Sequence, residues 1–321
     1  MLISNRGERA AKSIALLTLA FGVAVVVMTI SGVRVSAQAT SPVIKINEAA
    51  ATSEITVQQL RGNLSVLFGS GGNIVVLDGP DGKLLVDDGI AVSKDKIQAA
   101  LATISTEPPR YVINTHWHWD HTDGNEWIHK QGAIIIAQEN TLKHLSVTTR
   151  VEDWNYTFQP WPIDGRPTVT FKTEKTLEFD GENVELKNFG PGHTDGDVSV
   201  YFPKADVLVL GDLFWNGIYP FIDNGAGGGI DGMIRWVNVS LTRATDKTVI
   251  VPGHGPVGNK MQLEEFRDML VAIRNNVSRL KKQGKSIDEV IAAKPTAAYD
   301  AKWGNFVINP AFFTRLVYAG L

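Results

Sequence analysis

Short apolar runs follow one another closely in the first third of the chain. Residues 62–68, 73–78 and 83–87 are continuous or alternating apolar segments, and turns that contain glycine separate them. This pattern predicts consecutive strands joined by tight turns. The segment 93–104 has apolar residues at helical spacing instead, which predicts an amphipathic helix beside the strands.

The rest of the chain continues this alternation of strands and helices. An apolar stripe at helical spacing covers Met261–Lys282, and a further helix is predicted over 310–319. The predicted strands of this part lie at 133–136, 167–172, 176–179, 183–188, 197–202 and 206–210. Because strands and helices alternate in blocks, we predict a mixed α/β (α+β) layered fold rather than an all-α or all-β fold.

A dense group of histidines follows one of the apolar runs. The run ends at Ile113, and the segment 116–121 then reads His-Trp-His-Trp-Asp-His. Neutral imidazoles and carboxylates are good ligands for zinc and iron. In an extended segment the first two of these histidines point to the same face, so they are able to bind one ion from one side. The aspartate and the last histidine need a turn or a helix start to point elsewhere.

Three further candidate ligands lie much later in the chain. They are His193, Asp212 and His254, and each comes directly after a glycine at the end of a strand-like stretch. Rigid scaffolds place functional groups where strands lead into loops, and glycine lets the backbone turn sharply and approach an ion. We therefore predict one metal site assembled from four separate parts of the chain.

The order of these motifs carries a resemblance to a known family. His-x-His-x-Asp-His, then Gly-His, Gly-Asp and Gly-His, resembles the metallo-β-lactamase-fold hydrolase superfamily over roughly residues 60–260. The resemblance implies an αββα sandwich, in which two mixed β-sheets face each other and helices cover both outer faces. It also implies a dinuclear metal site at one edge of the sandwich. The motifs are specific for the fold and the metal site, and they say little about the substrate.

The resemblance also implies a role for each ligand. Asp212 would bridge two ions and fix the distance between them, and Asp120 would orient the nucleophile or help to move its proton, so both are candidate catalytic residues. The cofactor is then two zinc ions, with iron or manganese as the alternative. The ligands of the first ion would be His116, His118 and His193, and those of the second ion would be Asp120, His121 and His254.

The activity implied by such a site is hydrolysis. Two ions that share a hydroxide would cleave an amide- or ester-type bond of a β-lactam, lactone or thioester in one step, with no acyl-enzyme. The chain has no cysteine, and this argues against the lactamases that use a Cys ligand on the second ion. The alternatives are an iron-dependent oxidoreductase similar to persulfide dioxygenases or flavodiiron proteins, a phosphodiesterase, and a binding protein with a degenerate site.

The substrate pocket is less clearly marked in the sequence. An aromatic-rich segment, 214–221, directly follows Asp212, and we predict that Trp215, Tyr219 and Phe221 contact the substrate. Trp117 and Trp119 alternate with ligands, so we expect both rings to point away from the metal.

The N-terminal region predicts export from the cytoplasm. Three basic residues precede a long apolar stretch that ends in small residues, so residues 1–39 read as a signal peptide, with an uncleaved membrane anchor as the alternative. We therefore predict a periplasmic protein with no stable membrane insertion after cleavage. Residues 40–58 are predicted to be a flexible leader. Residues 59–321 would form a single metallo-β-lactamase-like domain with a C-terminal helical extension.

The charge balance limits the partners. The whole chain carries a formal charge of −3, and residues 1–39 contain four basic residues and one acidic residue, so the remainder carries −6. An acidic domain is a poor match for nucleic acid. A small-molecule substrate is therefore the expected partner, and the sequence does not indicate an oligomeric state.

Overall fold

The structure is a computed structural model that describes residues 41–321 of the chain. The predicted signal peptide, residues 1–39, lies outside the described residues. Within residues 41–321, no helix is long and apolar enough to cross a membrane.

The apolar runs of the first half of the chain form the first sheet. Its first six strands, in order across the sheet, are β1 (Thr56–Gln59), β2 (Leu64–Phe68), β3 (Ile74–Gly79), β4 (Gly82–Val86), β5 (Pro109–Ile113) and β6 (Ile134–Gln138). Strands β1 to β4 are antiparallel neighbours joined by short turns, and β5 and β6 add in parallel. Two short strands, β7 (Thr149–Val151) and β8 (Tyr156–Phe158), pair only with each other, and β9 (Val169–Phe171) joins the sheet beside β6.

The second sheet has five strands, and their order in the sheet follows the sequence. They are β10 (Glu174–Phe179), β11 (Glu182–Lys187), β12 (Ser199–Phe202), β13 (Val207–Trp215) and β14 (Val249–His254). The first four are antiparallel, and β14 lies parallel to β13. A parallel pair needs a long crossover connection, which a helix between the two strands provides.

Ten helices lie in the described part of the chain. They are α1 (Pro42–Thr52), α2 (Lys94–Ile104), α3 (Trp119–Thr122), α4 (Asn125–His129), α5 (Glu139–Leu145), α6 (Ile230–Arg243), α7 (Lys260–Lys282), α8 (Ile287–Ala292), α9 (Asp300–Trp303) and α10 (Pro310–Ala319). The predicted helices over 93–104, Met261–Lys282 and 310–319 match α2, α7 and α10 within one residue at each end.

Alternating side chains on the strands define the layers. On β3, Val75 and Leu77 pack between the two sheets, whereas Val76 on the opposite face packs against α2. On β13, Val209 faces the space between the sheets, and Leu208 packs with the helices of the second outer layer. The two mixed sheets are therefore covered by helices on both outer faces, and the predicted αββα sandwich is confirmed.

The prediction of a flexible leader over 40–58 is wrong for the described residues. Ser41 and Pro42 start helix α1, because the Ser41 side chain accepts from the Val43 N–H and proline suits the first helical turn. Val43 is buried, and Ser41 Oγ also donates to the Trp154 carbonyl at 2.6 Å. Strand β1 then pairs with β2 along its whole length. The composition of residues 40–58 resembles that of a linker. The Ser41-Pro42 pair, which favours a helix start, was the sequence feature that indicated α1 instead.

Candidate metal centre

The seven predicted ligands come together where several strands end. The 116–121 segment begins three residues after β5, and its second half forms α3. Asp212 lies within β13, beside Gly211, whose positive φ of 51° accompanies a shift in the pairing register with β14. All seven side chains are buried. They are His116, His118, Asp120, His121, His193, Asp212 and His254.

Three histidines form the first ligand group. Nδ1 of His118 lies 3.0 Å from Nε2 of His116 and 3.0 Å from Nε2 of His193. Since Zn–N bonds are about 2.0–2.1 Å long, nitrogens at this separation are suited to share one ion. His116 and His118 lie in an irregular segment rather than in a strand. Their side chains still converge, because His116 presents Nε2 and His118 presents Nδ1 to the same point.

The second group is made by Asp120, His121 and His254. Oδ2 of Asp120 lies 3.3 Å from Nε2 of His254 and 3.7 Å from Nε2 of His121. Asp212 lies between the two groups. Its Oδ1 is 3.1 Å from Nε2 of His121, and its Oδ2 is 3.4 Å from Nε2 of His193. One carboxylate therefore faces both groups, with one oxygen towards each.

Unpaired polar atoms at the centre fit a metal ion. Nε2 of His121, Nε2 of His254 and Oδ1 of Asp212 are buried and have no hydrogen-bond partner within the described part of the chain. An unpaired buried polar atom costs about 1–3 kcal/mol. A divalent cation takes electron pairs from all three atoms at once, and imidazole and carboxylate suit zinc, iron and manganese.

Two histidines of the first group, His116 and His193, are held neutral. Burial lowers the pKa of His193 to about 4. Burial, together with the neighbouring His121, lowers the pKa of His116 well below its ordinary value. Both imidazoles therefore keep a free lone pair at neutral pH, which is the form that binds a metal.

The second group is electrostatically different. Burial disfavours the charged form of His254, but the carboxylates of Asp212 and Asp120 outweigh burial and raise its pKa to about 9. The pKa of Asp212 is lowered well below its ordinary value, because the surrounding imidazoles, His254 first among them, outweigh the effect of burial. This half of the site attracts cations, and a proton competes there with a metal ion.

Asp87 contacts the centre from another part of the chain. It directly follows β4 and accepts from His121 Nδ1 at 2.8 Å, from the Thr115 N–H at 2.7 Å and from the Thr115 hydroxyl at 2.7 Å. The bond to Nδ1 fixes the ring and leaves Nε2 of His121 free to face Asp212. The sequence analysis missed Asp87, although it shares with Asp212 a position at the end of an apolar, strand-like stretch; it lacks the preceding glycine that marked Asp212.

The other ligand histidines have partners of their own. Nε2 of His118 lies 3.0 Å from Oδ2 of Asp223, and Nδ1 of His193 donates to the Phe221 carbonyl at 2.9 Å. Asp223 is also a residue that the sequence analysis missed, because it lies in a loop with no strand-end pattern to mark it. A carboxylate or carbonyl behind each ring sets which nitrogen faces the centre.

We expect Asp87→Ala to weaken metal binding at the second group by about 10–100-fold, because His121 loses the carboxylate that orients it. Competition with a chromogenic chelator measures the affinity. Asp180→Ala is the matched control, since Asp180 also has a positive φ (48° against 62° for Asp87) but contacts no ligand. If both variants lose the same metal affinity, the effect comes from backbone strain, and Asp87 does not act by orienting His121.

Glycine is required beside the Asp212 carboxylate. A Cβ at Gly253 would lie 2.0 Å from Oδ1 of Asp212. We expect Gly253→Ala to displace this carboxylate and to reduce kcat/KM by about tenfold or more, since small misplacements of reacting groups are costly. In Gly229→Ala the added Cβ meets no atom within 4 Å. That variant should keep full activity, and comparable losses in both would rule out the steric explanation.

The three residues predicted to contact the substrate lie in three different environments. Trp215 stacks near His254, with ring centroids 4.1 Å apart, and lines a pocket at the metal centre. Phe221 is buried and packs against Trp154 behind the first ligand group. Tyr219 is fully buried, and its hydroxyl donates to Asp300 at 2.9 Å, so it belongs to the core beneath the C-terminal helices.

The two tryptophans within the histidine motif pack away from the ligand atoms. Trp117 is fully buried and stacks on His144, at 5.3 Å between ring centroids. The indole N–H of Trp119 donates to Asn47 Oδ1 on α1 at 2.9 Å. Both rings therefore support the loop that carries the ligands, as their alternation with the ligands predicts.

The αββα sandwich and the two adjoining His/Asp groups define a class of metal-binding proteins. The chain belongs to the metallo-beta-lactamase superfamily, whose family model matches residues 67–254. The predicted family is thereby confirmed. The match includes all seven ligands and leaves out α1 and everything after β14.

Individual relatives agree with this assignment. The chain is 25% identical to a linear primary-alkylsulfatase of Pseudomonas sp. (strain ATCC 19151), over 64% of this chain and 46% of the relative. It is 28% identical to a metallo-beta-lactamase type 2 of Bacillus sp. (strain 170), over 50% of this chain and 56% of the relative. The chain thus spans about half the length of these curated relatives. Membership of the family supports the predicted metal-dependent hydrolase.

A solved structure extends the similarity of the fold. The stereoselective inverting sec-alkylsulfatase Pisa1 from Pseudomonas sp. superposes with a TM-score of 0.63, covering 82% of this chain and 50% of that one. At 17% sequence identity, this likeness shows a shared fold alone.

Proposed function

We propose that the protein is a dinuclear zinc-dependent hydrolase that cleaves an ester- or amide-type bond in a small molecule, of the β-lactam, lactone or thioester class. The observation that carries the proposal is the position of Asp212. Its two carboxylate oxygens face two separate ligand groups, within 3.1 Å of His121 and 3.4 Å of His193. A carboxylate in this position is suited to bridge two ions.

The protein residues hold and orient the reacting groups. When bound, the two ions supply Lewis-acid activation of water and of the substrate carbonyl. Asp120 places one carboxylate oxygen among the second group of ligands, where it would orient the nucleophile or accept its proton. Asp212 would fix the separation of the two groups. Because the chain itself then contributes no nucleophile, hydrolysis needs no covalent intermediate.

Metal analysis combined with a substrate panel tests the proposal. We expect two zinc ions per chain and turnover of a chromogenic lactam, a lactone or a thioester by the metal-loaded protein. The alkylsulfatase relative adds a primary alkyl sulfate to the panel, and a phosphodiester serves as the comparison. One iron per chain together with oxygen consumption would instead support an oxidoreductase. A covalent intermediate detected by mass spectrometry would overturn the single-step mechanism.

We also infer that the enzyme is exported to the periplasm. The inference rests on the basic start, the apolar stretch and the Ala-x-Ala pattern within residues 1–39. Mass spectrometry of the protein expressed from the full sequence tests it. A mature N-terminus at Thr40 supports cleavage, and an intact N-terminus in the membrane fraction would instead support an anchor.

A further inference from the structure

A pocket of about 360 Å³ opens beside the second ligand group. Asp120 and His254 line the pocket at the metal centre, and Trp215 lines it beside them. This volume is within the range that small-molecule sites occupy. A substrate that reaches the metal centre by this route must fit between the other walls of the pocket.

Most of those walls come from parts of the chain outside the family match. Helix α1 contributes Lys45, Ile46, Ala49 and Ala50, and the segment 306–307 contributes an aromatic and an aliphatic side chain. The family model covers only residues 67–254. The ligands thus lie inside the family match, whereas this part of the pocket lies outside it.

The wall formed by α1 is held firmly in place. Lys96 Nζ donates to the Ala51 and Ser53 carbonyls at 2.6 and 2.7 Å, and Ser93 Oγ donates to the Ala50 carbonyl at 3.1 Å. In the middle of the helix, Asn47 accepts from the Trp119 indole N–H. The helix is therefore a preformed surface for a ligand, and binding does not need to order it.

The pocket surface is apolar at its mouth. Phe306 and Val307 are 44% and 37% exposed, and both line the pocket. Ile46, Trp154 and Trp215 provide further apolar surface. A ligand with an apolar group gains by covering these side chains.

Lys45 is the one lysine or arginine among the residues that line this pocket. It makes no ion pair or hydrogen bond within residues 41–321, whereas the lysines that pair with carboxylates there are Lys83, Lys130, Lys187 and Lys302. An unpaired ammonium beside an apolar pocket favours a ligand that carries a negative charge.

We propose that the pocket binds an apolar substrate that carries an anionic group. The apolar part packs against Ile46, Trp215 and Phe306, and Lys45 pairs with the anion. The proposal rests on the proposed hydrolase function for the bond that is cleaved, but the binding specificity does not depend on turnover.

Two fluorescent probes separate the apolar contribution from the charge. 8-Anilinonaphthalene-1-sulfonate is apolar and anionic, and N-phenyl-1-naphthylamine has the same rings without the sulfonate. On the metal-loaded protein, we expect Ile46→Ser to raise the Kd of both probes by about tenfold. We expect Lys45→Met to raise the Kd of the anionic probe by about three- to fivefold and to leave that of the neutral probe unchanged.

Matched controls lie close by in the sequence. Ile44, on the same helix, is 42% exposed but does not line the pocket, and Lys94 begins α2 away from it. Ile44→Ser and Lys94→Met should leave both Kd values unchanged. The proposal is overturned if Ile44→Ser matches Ile46→Ser, or if Lys45→Met affects the two probes equally.

A kinetic measurement separates this proposal from the proposed function. For the mono-4-nitrophenyl ester of suberic acid, Lys45→Met should raise KM and leave kcat unchanged, while 4-nitrophenyl octanoate should be unaffected. Probe binding that follows the expected pattern, without hydrolysis of any panel substrate, would contradict the hydrolase function alone. Hydrolysis with probe binding that is insensitive to Lys45 and Ile46 would contradict the pocket assignment alone.

Discussion

Removal of the metal ions by a chelator is expected to abolish hydrolysis and to lower the free energy of unfolding. Within residues 41–321 the site leaves buried nitrogen and oxygen atoms without hydrogen-bond partners, and bound ions would compensate for them. At a free metal concentration 1,000 times its Kd, each bound ion stabilises the folded state by about 4 kcal/mol. Urea denaturation of the loaded, chelated and reloaded protein measures this difference. Activity that survives complete chelation would contradict the proposed function.

The two ligand groups should lose their ions at different pH values. The pKa of His254 is raised to about 9, so an ion at the second group must displace a proton at neutral pH. Up to about pH 9, apparent affinity there should rise by about tenfold per pH unit for the proton on His254, and displacement of a second proton from His121, whose pKa is also raised, makes the rise steeper. The pKa of His193 is lowered to about 4 and that of His116 is lowered well below its ordinary value, so these two ligands of the first group have no proton to release between pH 6 and 8. Equal pH slopes for the two ions would contradict this difference.

The ligands were predictable because their signals are local. His116 and His118 are two residues apart, and His193, Asp212 and His254 each follow a glycine at the end of a strand-like stretch. Strand ends, glycines and metal-binding side chains are all visible in a single short segment. The strands were predictable for the same reason, since the apolar runs that form them are separated by clear turns, whereas their arrangement in an αββα sandwich was implied by the resemblance to the family.

The surroundings of the ligands could not be predicted in the same way. Asp223 reaches His118 across 105 positions of sequence, and no local pattern marks that contact. Tyr219 and Trp215 lie four residues apart in one aromatic segment, yet one is buried under helices and the other lines the pocket. Which face a side chain takes in an irregular segment depends on tertiary packing, and α1 lines the pocket only because the chain folds back over the centre.

Loss of the bridging carboxylate is expected to have the largest effect of any single substitution. In Asp212→Asn, a neutral amide replaces the group that faces both His121 at 3.1 Å and His193 at 3.4 Å. We expect kcat/KM to fall by at least about 10³-fold, because the amide neutralises less charge and binds two ions poorly. Metal content should fall from two ions per chain to one or fewer.

Two measurements on the same preparation decide whether Asp212 acts as the bridge. Asp231→Asn removes an exposed carboxylate that pairs only with Arg274, and it should retain two ions and full activity. If Asp212→Asn keeps two ions but loses activity, the carboxylate acts in the reaction rather than in metal binding. If it keeps both, the two ligand groups are independent sites, and the geometry that places one oxygen of Asp212 towards each group has no functional consequence.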